Sequence, residues 1–426
     1  MPRPIAFDLT HLASRLPVDH PSGIDKVDLA YARHYAVTGC GCAVHYGFRR
    51  PRFHAPDGVG QLAVLATRAR WTELREHADG AFERVYLALT GRPCPLAPAT
   101  DADAAPRGSS IWRRRIGQIA WRSRPGRHVL PEGAIYLNVA QHAFEFPIFF
   151  KWLSARRDVR PVFLVHDLLP LDYPEYFLPG YRDRFERRVR TILDHAAALI
   201  VTSAAVRARL EQEIAARARP AVPIHVEPLP SSLPHMSPVE LADPGLAAVP
   251  YLVVLGTIEP RKNHLLLLNI WRRMAQESAA PPKLVVIGTR GWENEQVLDV
   301  LDRSALVRPH VIEAAGIGDR GLSRLLANAR GLLMPSFAEG YGLPVVEALS
   351  LGTPVVAADI PVFQEVGQGR AILCHPLDGP GWRAAIEGLC DRDSAVARAA
   401  ATAARAFAAP TWSGYFRGVD AFLAGL

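Results

Sequence analysis

What most constrains the fold of this chain is a series of short, continuously apolar runs, each ending in a polar or glycine-bearing turn and most followed by a segment of helical spacing. Ile5–Leu9, Ile135–Val139, Val162–His166, Ala198–Ser203, Tyr251–Gly256, Leu284–Gly288, Gly331–Met334, Val355–Asp359 and Ala371–Cys374 are of this kind, and Ile224–Glu227, in which His225 and Glu227 alternate with apolar residues, is read as a further strand. A strand that is apolar along its length, rather than alternately, is buried on both faces, and strand–helix alternation sets such strands parallel. An α/β fold with doubly wound parallel sheets is therefore expected. At 426 residues, of which 49% are apolar, the chain exceeds what one core usually holds, so two domains are expected. The Pro- and Ser-bearing segment 228–250 reads as the linker between them.

Ligands of such sheets bind beyond the carboxyl ends of the strands. Gly331–Met334 leads into a loop with Gly340 and Gly342, then into a helix carrying Val346, Leu349 and Leu351 that stops at Gly352. The glycines let backbone approach a ligand closely, and the helix start offers free N–H groups and partial positive charge, together a phosphate cradle. Glu339 lies on the loop and Glu347 about one and a half turns into the helix. A carboxylate can accept two hydrogen bonds from vicinal hydroxyls, so one acid can hold a ribose and the other a sugar. The plainer alternatives are a Glu339 that complements the helix dipole and a solvated Glu347. Arg261 and Lys262 stand side by side after the strand ending at Gly256. There they suit a diphosphate, Arg as a planar fork and Lys as a point charge.

In the first half, Ser22 and Gly23 open a helix through Val27, Leu29, Ala30 and Tyr35, either as an ordinary helix entry or as a ligand loop. Asn138, Gln141 and His142 follow one strand, where an acceptor is read, and His166 and Asp167 end the next. Residues 50–133 are rich in Arg, Pro and Ala. Within them Trp112, Ile116 and Ile119 share a helical face while Arg113, Arg114 and Arg115 lie off it. That helix can lie on anionic lipid of the inner membrane face or pack on its own domain.

The formal net charge of +7 admits nucleic acid, anionic lipid or phosphorylated substrate, and the absence of zinc-finger, RNP-like or basic-zipper motifs ranks nucleic acid last. Five cysteines without C-x-x-C spacing, no signal-peptide pattern and no run of about 18 apolar residues lead to the expectation of a cytoplasmic protein. Asp101-Ala-Asp103 and Asp391-Arg-Asp393 lie away from strand ends, so no metal site is expected.

Three segments carry a family resemblance. F-A-E-G-Y-G-L-P-V-V-E-A-L-S-L-G-T-P-V-V (337–356) resembles the nucleotide-sugar motif of the retaining family-4 glycosyltransferases, V-H-D-L-L-P-L-D-Y-P (165–174) their strand-end His segment, and G-T-I-E-P-R-K-N (256–263) their phosphate clamp. It extends over roughly residues 130 to 423 and is strongest between 251 and 360.

The resemblance implies a GT-B fold, in which two Rossmann-like domains face a cleft. These would be an acceptor-side domain (1–235) and a nucleotide-sugar-binding domain (236–410), with a terminal helix (411–426) crossing back. It implies a donor held by Gly23, Gly256, Thr257, Arg261, Lys262, Gly340, Tyr341, Gly342, Leu343 and Glu347. His166, Glu339, Arg261 and Lys262 would surround the reacting centre, and Asn138, His142 and Asp167 would face a saccharide or lipid-linked saccharide acceptor. Glu347 would take the ribose and Glu339 the sugar hydroxyls. No cofactor or metal is implied beyond the nucleotide-sugar donor. No carboxylate stands out as a covalent nucleophile, so front-face substitution is expected, the leaving phosphate oxygen taking the acceptor proton beside His166. The segments look most like bacterial polysaccharide mannosyltransferases, which implies GDP-mannose, with a UDP-hexose or an activated deoxyhexose as alternatives. Readings of another class are a GT-B nucleotide-sugar epimerase and a catalytically silent, membrane-attached partner of a polymer synthase.

Overall fold

The computed structural model describes residues 3–15, 21–46, 50–66, 80–95 and 128–426. Strands β1 (Ile5–Asp8), β2 (Cys42–Tyr46), β3 (Pro51–His54), β4 (Ile135–Asn138), β5 (Arg160–Val165), β6 (Ala198–Val201) and β7 (Ile224–Val226) form one sheet in the order β3-β2-β1-β4-β5-β6-β7. Only β3 is antiparallel, paired with β2. Strands β8 (Tyr251–Leu255), β9 (Lys283–Ile287), β10 (Val311–Ala314), β11 (Gly331–Met334), β12 (Val355–Ala358) and β13 (Ile372–Cys374) form a second, wholly parallel sheet in the order β10-β9-β8-β11-β12-β13. The doubly wound architecture is as expected. Its central strands are buried on both faces, because crossover helices cover each side.

The β2–β3 pair was not legible as strands. His45 and His54 interrupt its apolar pattern, and they satisfy each other across the antiparallel pair (Nδ1···Nε2 2.7 Å). The 228–250 segment, expected to be a linker alone, also holds two short helices, Pro238–Leu241 and Pro244–Ala248. Ser237 and Asp243 cap them by accepting from backbone N–H groups. The Trp112 segment and Asp101–Asp103 lie outside the described residues. Among the described residues no helix is long and apolar enough to cross a membrane.

The last helix, Trp412–Ala424, crosses back to pack on the Gly23–Thr38 helix. Tyr415 and Tyr31 share a buried hydroxyl contact (2.8 Å), and His34 stacks on Phe416 while its Nε2 meets Asp420 (2.8 Å). The carboxyl edges of the two sheets meet closely. A Cβ on Gly340, after β11, would lie 2.8 Å from Asp167 Cβ and 3.1 Å from the His166 carbonyl, after β5. Gly342 caps the next helix, Leu343–Ser350, with φ +91°, and a Cβ there would lie 2.4 Å from Phe363 Cε1.

Both conditions fix glycine at 342. Gly342→Ala should lose about 2–4 kcal/mol, the left-handed backbone cost plus the clash. Gly369→Ala, at φ +67° with open space around it, should lose only about 1–2 kcal/mol. Urea denaturation of both variants measures the difference, and equal losses would show that the Phe363 contact yields freely.

Candidate active site

The cations come from the turn after β8. Pro260–Lys262 form one 3₁₀ turn, and the helix that follows begins at His264. Asn263 takes a left-handed conformation (φ 55°) between them. Its Nδ2 donates to the carbonyls of Pro335 (3.1 Å) and Pro376 (2.9 Å), which ties the turn to the loop after β11. Gly256, at φ +139°, leaves room for the Lys262 stem, whose Cε lies 3.1 Å from where a Cβ would be.

Glu339 sits at the centre of this turn. It receives Arg261 Nη1 (2.7 Å), the Lys262 ammonium and the Ser336 hydroxyl (2.8 Å), while Arg261 Nη2 pairs with Glu259 (2.7 Å). Burial alone would favour a neutral Glu339, yet Arg261 and Lys262 outweigh it and pull its carboxyl down to about 2. Burial likewise opposes the charge on Arg261, and Glu339 and Glu259 hold its pKa above the ordinary value. Arg261, Lys262, Glu259 and Glu339 form a closed, charge-balanced group at the ends of β8 and β11.

His166 and Asp167 face this group from β5. His166 Nε2 donates to the Val139 carbonyl (2.8 Å), which leaves Nδ1 as an acceptor. Burial, opposed by that bond, pulls the imidazole down to about 4, so the ring is neutral at pH 7. Burial raises Asp167, against the pull of Arg261.

A second group is built around the helix that follows the Glu339 loop. Glu347, read alternatively as a solvated acid, is buried and accepts from the Ser232 hydroxyl (2.5 Å). Lys26, from the helix that Gly23 opens, donates to Ser232 Oγ (3.2 Å) and to Asp319 Oδ1 (2.9 Å). Burial raises the Glu347 carboxyl and Lys26 opposes the rise. Lys26, Ser232 and Asp319 were missed from sequence. The available clue was that Lys26 lies one helical turn beyond Gly23.

Several expected residues are committed elsewhere. Asn138 is buried, with Nδ2 on Asp8 (2.9 Å) and its oxygen receiving the Gln141 N–H (2.9 Å), so it shapes the loop after β4. Tyr341 reaches the Leu229 carbonyl (2.8 Å), away from Glu339. His142 is half-buried, its ring 5.9 Å from that of His11. Leu343 packs 3.9 Å from the position of a Cβ on Gly23, and Thr257 lies against Gly291. Near His11, Asp25 holds His11 and Arg15 and completes a capping box with Ser22. Asp28 is fully buried beside them and pushed up to about 7 by burial, opposed by His11 and reinforced by Asp8 and Asp25. Among the described residues no group of His, Cys, Asp and Glu could hold a metal ion.

Residues 246–378, which span this site's second sheet, match the model of Glycosyl transferases group 1, and that region is such a domain. The chain is similar to the serotype-specific mannosyltransferase WbdA of Escherichia coli, 30% identical over 221 residues covering 49% of this chain and 27% of the relative. It is also similar to the O-antigen chain mannosyltransferase B of Escherichia coli, 33% identical over 227 residues covering 51% of this chain and 58% of that protein. The chain thus spans about a quarter of the first relative and somewhat over half of the second. Among solved structures, Anabaena Alr3699/HepE in complex with UDP superposes with a TM-score of 0.54 at 20% identity, covering 68% of this chain and 79% of that one. The fold is GT-B.

Because the buried cations depend on their carboxylates, Glu339→Gln should cost about 3–5 kcal/mol near pH 7. Glu339 is held below its ordinary value near 4.5, so its contribution is present above that pH and is lost as pH falls from 4.5 toward about 2. Stability measured against pH should therefore converge for wild type and variant across that window. A gap that persists unchanged at pH 2 would contradict an ionised Glu339.

Proposed function

We propose that the chain is a retaining glycosyltransferase moving mannose from GDP-mannose onto a saccharide or lipid-linked saccharide acceptor, in assembly of a bacterial surface polysaccharide at the cytoplasmic face of the membrane. The observation that carries this reading is the meeting of Arg261, Lys262 and Glu339 with His166 and Asp167 across the two sheet edges. The mannosyltransferases similar to this chain support mannose as the sugar.

In this reading the donor diphosphate lies on Arg261, Lys262 and the N–H groups that open the Leu343–Ser350 helix. As the bond from anomeric carbon to phosphate oxygen breaks, negative charge gathers on the leaving diphosphate, where the cations are already in place. The acceptor oxygen forms its bond on the same face, and its proton passes to the leaving phosphate oxygen. His166 does not take that proton, since an imidazole held at about 4 is a weak base at pH 7. Its Nδ1 instead accepts a hydrogen bond from a donor-sugar hydroxyl. Glu339 holds further sugar hydroxyls, and Glu347 exchanges the Ser232 hydroxyl for those of the ribose.

Product mass from purified protein with GDP-mannose, UDP-glucose, UDP-galactose or UDP-N-acetylglucosamine tests this. GDP-mannose should be consumed, with chelator present, to give an α-linked product or free mannose, and Lys262→Ala should slow turnover at least about 100-fold. Consumption of UDP-sugars alone would overturn the donor, and an inverted product would overturn the mechanism.

A further inference from the structure

Just outside the clamp lies a row of flat rings that the reaction scheme leaves unused. Tyr173 stacks on Tyr176 with centroids 6.0 Å apart at 26°, and Tyr176 on Phe337 with centroids 5.8 Å apart at 9°. Tyr173 and Tyr176 belong to the loop after β5 and Phe337 to the loop after β11, so the row bridges the two sheet edges. Trp292, after β9, donates its Nε1–H to the Tyr176 carbonyl (3.0 Å) and pins the row from a third loop. The inner end starts at the clamp itself. Phe337 is two residues before Glu339, and its N–H donates to the Arg261 carbonyl (2.8 Å). At the outer end Tyr173 is 39% exposed.

None of the four rings belongs to either hydrophobic core. Their border is polar: Asp172, next to Tyr173, receives Arg209 Nε (2.7 Å). Flat apolar faces edged by phenols and a carboxylate–guanidinium pair match one ligand chemistry well. A pyranose presents a face of C–H bonds and a rim of hydroxyls. Its weakly positive C–H hydrogens lie against the negative face of an aromatic ring, and its hydroxyls meet the bordering donors and acceptors. A lipid chain would gain nothing from that border.

We propose that Tyr173, Tyr176 and Phe337 form a saccharide-binding rail that holds the acceptor glycan by its sugar faces while its terminal hydroxyl enters the cleft. The assignment of that glycan as acceptor rests on the glycosyltransferase reading above.

Calorimetry and saturation-transfer NMR on the full chain, with α-linked mannotetraose, maltotetraose and cellotetraose as probes, test the rail. Acceptor-free hydrolysis of GDP-mannose is followed in parallel as a report on the donor site. At least one glycan should bind, and Tyr173→Ala should weaken it about fivefold, the worth of one ring contact. Tyr173→Phe, which keeps the ring, should restore affinity to within about twofold, and both variants should hydrolyse donor as wild type does. Tyr176→Ala should weaken binding at least as much. Wild-type affinity in the Ala variants, or no glycan binding by wild type, overturns the rail. Glycan binding lost in the Ala variants of a protein that turns over no sugar nucleotide would sustain the rail and refute the glycosyltransferase reading instead.

Discussion

The pairing of buried Glu339 with Arg261 and Lys262 is the interaction on which the rest of the cleft depends. Removing these charges from water is costly, and the cost is offset only when each is paired with good geometry. The surrounding backbone serves that geometry. Asn263 fixes the turn that carries the cations, Gly256 admits the Lys262 stem, and Gly340 brings the loop of Glu339 against the end of β5. With Glu259 as the second anion, the group is charge-balanced before any ligand arrives. In the proposed reading, cations held in this way would be positioned in advance for a diphosphate, which is what electrostatic stabilisation of a leaving group requires.

Contacts between the sheets hold the two carboxyl edges face to face. Glu365 receives the N–H groups of Ala204 (2.7 Å) and Ala205 (3.0 Å), so a carboxylate of one sheet's layer caps a helix of the other's. Lys26 and Asp319 join the edges again near Glu347, and Trp412 ties the terminal helix to the Ser231 carbonyl (3.2 Å). Polar contacts therefore join the two edges at several points, beside an apolar core that also runs between the two halves. Each polar contact can be exchanged for a contact with a ligand or with water at modest cost.

The parallel sheets were legible because β5, β6, β8, β11 and β12 are apolar without alternation, a pattern only a doubly covered strand sustains. Arg261 with Lys262, and Glu339 with Glu347, were legible as two local motifs, whereas the pairing of the cations with Glu339 spans 77 and 78 positions and comes from the fold. Lys26 was not legible, because its partner Asp319 lies 293 positions away and only the tertiary fold joins them. The same is true of Tyr176, Phe337 and Trp292, whose rings gain meaning from three separate loops. Asn138 and Tyr341 show the opposite limit. Each lies where a ligand contact was expected, yet Asp8 and the Leu229 carbonyl, distant in sequence, claim their side chains.

Arg261 and Lys262 are proposed to take the diphosphate of the donor. Calorimetric affinities of GDP, GMP and guanosine for the wild type and for the Arg261→Ala and Lys262→Ala variants address that role directly. Wild type should bind GDP at least about 100-fold more tightly than guanosine, as charge-assisted bonds to two phosphates should give, and either variant should remove most of that difference. Equal affinity for GDP and guanosine, or a preference for GDP that survives in both variants, would contradict the account.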